Sequence, residues 1–427
     1  MADAIRVVVT GLGVLAPNAH GAAAFADALR AGRSGIRRQA RLAELGFGCQ
    51  VGGIPQLTDE LVEAYFRPDE RFAMNTNMIY AGIAALDAWQ DAGLPRPLAD
   101  EDRVDWDSGA IFGTGIGGID TVAEKLVPKT DAGKVSRLGS SMVEQVMSSG
   151  NSARVAGLLG LGNRVSTNSS ACNTGTEAVI EAFHHLRAGR AERMLAGGSE
   201  GHSHYIWAGF DAMKVLARGS NDAPERASRP MSASASGFVP SSGAAALVLE
   251  TLASAERRGA RVYAEIVGGA VNCGGQRMGG SMTAPNPEGV RRCIREAVAM
   301  AEISPASIDA INGHLTATIA DPLEVQNWAA ALELPAGKLP LLHATKSLIG
   351  HALGAAGALE CAATVLEIAG GFVHGSLNCD DLHPQLRAFA DSVVHRTREV
   401  PDLKPMAKAS FGFGDVNGCV IFRRFDG

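Results

Sequence analysis

Basic residues are not in excess in this chain of 427 residues: Lys and Arg number 39 against 45 Asp and Glu, a net charge of −6. That balance argues against a protein that holds nucleic acid through a broad positive field. Long apolar runs are missing too. The Ala- and Gly-rich stretch toward the C-terminus is interrupted by His351 and Glu360 before it reaches the roughly 20 residues of a membrane helix. The opening residues Met1, Ala2, Asp3 and Ala4 lead straight into an apolar, strand-like run and lack the basic, apolar and small-residue zones of a secretory signal. A cytoplasmic protein with no membrane or nucleic-acid partner is expected. No C-x-x-C pair occurs among Cys49, Cys172, Cys273, Cys293, Cys361, Cys379 and Cys419, an odd and scattered set. This speaks against a disulfide framework or a zinc knuckle, and most of the seven read as small buried hydrophobes. Low-complexity tracts and long linkers are also absent.

What is present is ordinary globular composition, 46% hydrophobic and 20% charged, with 51 Gly and 18 Pro for many turns. The length fits about two or three core units, or one large duplicated one. Short β-branched or apolar runs, several ending in Gly, recur at residues 6–11, 108–113, 164–168 and 193–198, then again at 261–268, 309–313, 341–345 and 418–422. Helix-period stretches such as 77–93 and 174–188 lie between them, so the chain reads as α/β with buried strands. Two similar halves, residues 1–255 and 256–427, are the preferred division. Residues 228–243, rich in Ser, Ala and Gly, are the most linker-like part and equally suit a mobile loop over a site.

Two glycine motifs, G-x-G-x-x-A at residues 11–16 and G-x-G-x-x-G at 113–118, raise a dinucleotide fold. The first lacks the second strand with a terminal carboxylate about 20 residues on that would hold a ribose. Turns that permit close packing are the better reading. His184-His185 and His202-x-His204 match no metal-ligand spacing, so no metal is expected. The strongest local signal is the polar, small-residue turn at 167–176, which passes from a strand end into a helix with Cys172 at its start. Unpaired N–H groups there favour a thiolate, are expected to depress the thiol pKa, and can donate to a developing oxyanion. His314 after a strand, and Lys346 and His351 leading into a helix, supply partners from the other half of the chain.

These residues resemble the condensing enzymes of the thiolase superfamily, specifically the β-ketoacyl-acyl-carrier-protein synthase II type. The resemblance runs nearly end to end, through residues 7–17, 113–118, 169–175 (SSACNTG), 196–200, 345–360 (TKSLIGHALGAAGALE) and 410–414 (SFGFG). It implies a five-layered αβαβα thiolase-like fold made of two similar halves, usually a homodimer, with a Cys-His-His site. By motif, Cys172 takes the acyl chain from a phosphopantetheine thioester, and His314 and His351 bind the malonyl thioester carbonyl and assist decarboxylation. The backbone N–H groups of Cys172 and Phe413 form the oxyanion hole, with Phe413 as gate on the loop 411–416. Lys346 and Glu360 are the supporting charged pair. Thr316 and Thr318 bond the pantetheine arm, Ile116 lines the acyl pocket near the dimer interface, and Lys214 serves as a docking cation for an acyl carrier protein. No permanently bound cofactor is implied beyond the phosphopantetheine that the carrier delivers.

Departures accompany the matches. The stretch after His314 reads LTATIAD and is one residue shorter than the family's pattern, the loop RPMSASASGF at 229–238 has lost its usual carboxylates, and Asp415-Val416 follows SFGFG. These changes point to a divergent enzyme of specialised metabolism. Two competing readings are a non-catalytic chain-length partner in a heterodimer, disfavoured by the retained Cys172, and a coenzyme A-dependent thiolase, disfavoured because Cys419 sits in an apolar run.

Overall fold

The computed structural model describes residues 5–98 and 101–427. Residues 1–4, where the reading of the N-terminus begins, lie outside them. Five strands of the N-terminal half, β1 (Val7–Ala16), β2 (Ser108–Gly113), β3 (Val165–Ser166), β4 (Arg193–Glu200) and β5 (Gly243–Thr251), stand in the order β1-β5-β4-β2-β3. Five of the C-terminal half, β6 (Ala264–Cys273), β7 (Ala310–Asn312), β8 (Leu341–His343), β9 (Met406–Gly412) and β10 (Val416–Arg423), repeat it as β6-β10-β9-β7-β8. Within each half the first two pairings are antiparallel and the last two parallel. The halves join where Val7, Val8 and Val9 of β1 pair antiparallel with Ile266, Glu265 and Ala264 of β6. A duplication too faint to read in the residues is explicit in this topology.

Helices fill three layers around the two sheets. Helices α1 (Thr76–Asp91) and α2 (Gly150–Leu159) cover the outer face of the first sheet, and α4 (Pro287–Met300), with α5 (Asp321–Leu332) against it, covers that of the second. Between the sheets lie α3 (Thr174–Arg187) and α6 (Ala356–Gly370), each touching strands of both halves. The result is the αβαβα order. β1, clad on both faces, buries every residue, which is why it reads as one apolar run rather than an alternation. Its bulge between Val9 and Gly11 has a visible consequence: Val7 and Val9 point to the central core, and after one extra residue so do Leu12 and Val14.

Four sequence expectations change here. The glycines of residues 11–16 are not in a turn but within β1, where a Cβ on Gly13 would lie 1.9 Å from the Ala84 carbonyl oxygen, so α1 packs directly on the strand. Residues 353–370 are long and apolar enough to cross a membrane despite Glu360, and 89% of that window is buried inside the protein; enclosure in the central layer, not interruption, accounts for its composition. The loop 228–243 is neither linker nor free lid. Arg229 and the Ser234 N–H reach Asp381 at 3.3 and 2.9 Å, the Ser232 hydroxyl bonds the same carboxylate, and Met231 and Val239 are buried. A carboxylate from elsewhere in the chain thus holds the loop in place. Finally, only Val165–Ser166 of the 164–168 run pairs as strand.

The central layer positions the chemistry. A Cβ on Gly175 would stand 2.3 Å from the Ala358 backbone nitrogen, so the N-terminal ends of α3 and α6 meet backbone to backbone. That contact brings the residues preceding α3 next to those preceding α6.

Candidate active site

Cys172 sits in a 3-10 turn, Ala171–Asn173, just ahead of α3. Ala171 takes φ 50°, a left-handed conformation costly for a residue with a Cβ, so the turn is sharp and strained. Thr174 locks it: its hydroxyl donates to the Ala171 carbonyl at 2.7 Å and accepts from the Ser170 N–H at 2.9 Å. The thiol is not depressed as the helix-start argument expects. Burial pushes it up to about 11, against the opposing pull of the Lys346 ammonium and the Phe413 backbone N–H. Desolvation outweighs the local donors; Phe238 and Phe411 stand edge-on against the two histidines, and Phe210 links Phe238 to Phe413.

The Cys172 sulfur and ring nitrogens of His314 and His351 all lie within 4.8 Å of one another. The two imidazoles stand edge to face, 86° apart with centroids at 5.4 Å. Their hydrogen bonds fix the tautomers. The Lys346 ammonium donates to His314 Nδ1 at 3.3 Å, and the Leu353 N–H donates to His351 Nδ1 at 3.2 Å. Each ring therefore accepts at Nδ1 and carries its proton on Nε2. Burial, reinforced by the Lys346 and Lys408 ammonium groups, holds both well below the ordinary imidazole pKa, so both are neutral donors at physiological pH.

His314 is held from below by α5. Glu324 accepts the His314 and Leu315 N–H groups at 2.6 and 2.8 Å, and Asp321 accepts those of Thr316, Ala317 and Met231 at 2.9, 3.1 and 2.8 Å. The shortened stretch thus forms a tight turn about Asp321, with Ala317 at φ 61° and Ile319 fully exposed. Burial raises both carboxyls, Glu324 to about 7. Thr316 and Thr318 are half-buried, their hydroxyls 2.9 Å apart.

Lys346 and Glu360 form a buried ion pair, as expected. A third member was missed: Lys408 of β9, wholly buried, lies 2.7 Å from the other Glu360 oxygen. A lone Lys between Ala407 and Ala409 in an apolar strand was the available signal.

Phe413 occupies the turn between β9 and β10, its ring 6.1 Å from that of Phe210. Asp415, in the same turn, explains one departure. Its buried carboxylate accepts the Asn286 N–H at 2.7 Å and the Gln276 N–H at 2.9 Å, tying the glycine-rich segment 273–286 to the turn that carries Phe413. The amides of Gly115 and Ile116 donate to the Glu200 carboxylate at 2.9 and 3.0 Å, so this glycine motif holds a side chain of its own chain where a phosphate would sit. Ile116 itself is 48% exposed, at the rim of a small cavity with Asn77, His202 and Ile206. Lys214 is exposed just beyond the helix His204–Ala212 that carries Phe210.

A second cluster, His343, Glu367 and His374, was not foreseen and is wholly buried. His374 Nδ1–H donates to the Gly375 carbonyl at 3.0 Å, His343 Nδ1–H to His374 Nε2 at 3.1 Å, and the His374 N–H to Glu367 Oε1 at 2.8 Å. His343 Nε2 and Glu367 Oε2 then face each other at 3.4 Å, with no other partner among the described residues. One proton on Glu367 satisfies both, and burial raises that carboxyl well above its usual range.

Comparison with known proteins accords with this geometry. The sequence model described as "Beta-ketoacyl synthase, N-terminal domain" matches residues 4–255, and its "C-terminal domain" counterpart matches residues 263–380. The chain is 33% identical to 3-oxoacyl-[acyl-carrier-protein] synthase 1 of Haemophilus influenzae over 99% of its length and 100% of the relative's. It is 34% identical to the synthase of the same name from Escherichia coli, over 98% and 99%. Among solved structures, a β-ketoacyl synthase from Burkholderia phymatum superposes with a TM-score of 0.89 at 28% identity, covering 99% of this chain and 100% of that one. The ishigamide ketosynthase/chain length factor gives 0.87 at 28%, with the same coverage.

Proposed function

The chain belongs to the β-ketoacyl synthase family, and from that premise we propose that it joins malonyl units to an acyl chain held on Cys172, by decarboxylative Claisen condensation in fatty-acid or polyketide-type biosynthesis. The observation that carries this reading is the pair of neutral imidazoles, each with Nδ1 occupied and Nε2–H free, beside a half-buried thiol.

In the first half-reaction the Cys172 sulfur attacks an acyl thioester carried on phosphopantetheine. The new S–C bond forms, the pantetheine sulfur leaves, and the thiol proton ends on that sulfur. Charge on the carbonyl oxygen develops toward the backbone N–H groups of Cys172 and Phe413. A thiol raised to about 11 stays protonated at rest and is protected from adventitious chemistry.

In the second half-reaction the malonyl thioester carbonyl accepts from both Nε2–H groups. Carbon dioxide leaves, its bonding electrons pass into the enolate, and the enolate carbon attacks the acyl-Cys172 carbonyl. A C–C bond forms, the S–C bond breaks, and the departing Cys172 thiolate takes up a proton from solvent. Neutral imidazoles suit this step because they stabilise the enolate oxygen without giving up a proton to it. Lys346 and Glu360 position His314, Thr316 and Thr318 line the approach for the pantetheine arm, and Ile116 limits the acyl pocket.

An acyl carrier protein is the partner, met at Lys214 among other cations, and phosphopantetheine arrives on it rather than as a resident cofactor. The exposed edge strand β3, with Val165 38% exposed, supports a homodimer. Seven free cysteines accord with a cytoplasmic protein. The halves divide at residues 255 and 256. A thiolase reading is disfavoured by Cys419, fully buried in β10 with its thiol pushed up to about 12. The test is release of carbon dioxide from malonyl-carrier protein and formation of a 3-oxoacyl product; product from acyl-coenzyme A pairs without malonate would instead favour a thiolase.

A further inference from the structure

Lys408 lies on β9, a strand in which every residue is buried. An ammonium group there is costly unless each proton finds an acceptor. Two do, the Ser410 hydroxyl at 2.5 Å and the Ala409 carbonyl, while Glu360 Oε2, 2.7 Å away, supplies the counter-charge. Ser410 in turn bonds the Thr176 hydroxyl on α3 at 2.8 Å, so Lys408 ties the helix behind Cys172 to the one behind His351. An apolar residue of similar size would satisfy packing at lower cost, so charge is the property to explain.

We infer that Lys408 is a positioning residue for the condensation: it shares Glu360 with Lys346 and leaves the Lys346–Glu360–Lys408 cluster with one net positive charge beside His314 and His351. This rests on the condensing-enzyme reading. One carboxylate facing two ammonium groups cannot neutralise both, and the excess sits where a malonyl carboxylate and then an enolate bring negative charge. The same charge disfavours a second proton on either imidazole, keeping both as neutral donors. The groups facing the two rings are Lys346 from the turn Lys346–Ile349, Lys408 from β9, Glu360 from α6, Glu324 from α5 beneath His314, and Cys172.

The experiment compares full-length Lys408→Met, Lys408→Gln and Lys408→Arg with the parent. Acylation of Cys172, malonyl-carrier decarboxylation between about pH 4.5 and 8, and thermal unfolding are read for each. The neutral variants are expected to lose about tenfold in decarboxylation, with acylation nearly unchanged and the acid limb of the profile moved up by about one unit, the shift equivalent to that factor. Arg, keeping the charge, leaves the limb in place. An unmoved limb in the neutral variants, a limb moved equally by Arg, or failure of both neutral variants to fold overturns the proposal in favour of packing. Parent protein that releases no carbon dioxide refutes the condensing reading itself, a separate outcome.

Discussion

Replacing Lys346 by Met separates the two half-reactions. In the parent, the Lys346 ammonium occupies His314 Nδ1 at 3.3 Å and so fixes the proton on Nε2. Without it, His314 takes either tautomer, and the one protonated on Nδ1 turns a donor to the enolate into a lone pair. Loss of one oxyanion donor typically costs about 10²–10³ in rate, or about 2.7–4 kcal/mol. Decarboxylation should fall by that factor. Acyl transfer should fall far less, because in the proposed mechanism its oxyanion meets the Cys172 and Phe413 N–H groups instead. Breaking a buried pair often costs about 3–5 kcal/mol of stability, but Glu360 keeps Lys408 at 2.7 Å, so the loss should lie below that range. Carbon dioxide release from malonyl-carrier protein reads the first effect, intact-protein mass after incubation with acyl-carrier protein the second, and thermal unfolding the third. Equal losses in both half-reactions, or undiminished decarboxylation, would refute the tautomer argument.

Glu367→Gln should fold normally, its amide accepting from the His374 N–H and donating to His343 Nε2. Because burial raises the Glu367 pKa in the folded state, the parent's stability is greatest below the unfolded carboxyl value near ~4.3 and falls above it by about 1.4 kcal/mol per pH unit until the folded value is passed. Denaturant titrations at pH 5 and pH 7 should show the variant gaining on the parent as pH rises; a constant difference would contradict a proton on Glu367. Asp415→Asn keeps a residue that tolerates φ 63° but sets an amide N–H₂ against the Gln276 or Asn286 N–H. Stability should drop by about 1–3 kcal/mol, with limited proteolysis appearing within residues 273–286; unchanged cleavage would sink the anchoring role.

What could be read in the chain beforehand was what is local. The Cys172 turn, the histidines at strand and helix ends, and the runs of buried strands carry their signal within a dozen residues, and the structure brings Cys172, His314, His351, Lys346 and Glu360 together. What escaped is set by contacts across the chain. Lys408 has meaning only once β9 lies over α6, and Asp415 only once the segment 273–286 folds back on it. Likewise, Asp381 steadies the loop 229–238 from about 150 residues away, which no local composition reveals. The thiol of Cys172 was misjudged for the same reason: its helix-end donors are local, while the burial that outweighs them exists only once the chain has folded around it.

The most direct test of the central claim is intact-protein mass spectrometry of the parent and of Cys172→Ala after incubation with a medium-chain acyl-carrier protein. The account predicts one acyl-sized gain in the parent and none in the variant. A gain that persists in Cys172→Ala, or no gain in the parent with any of several primers, would contradict it.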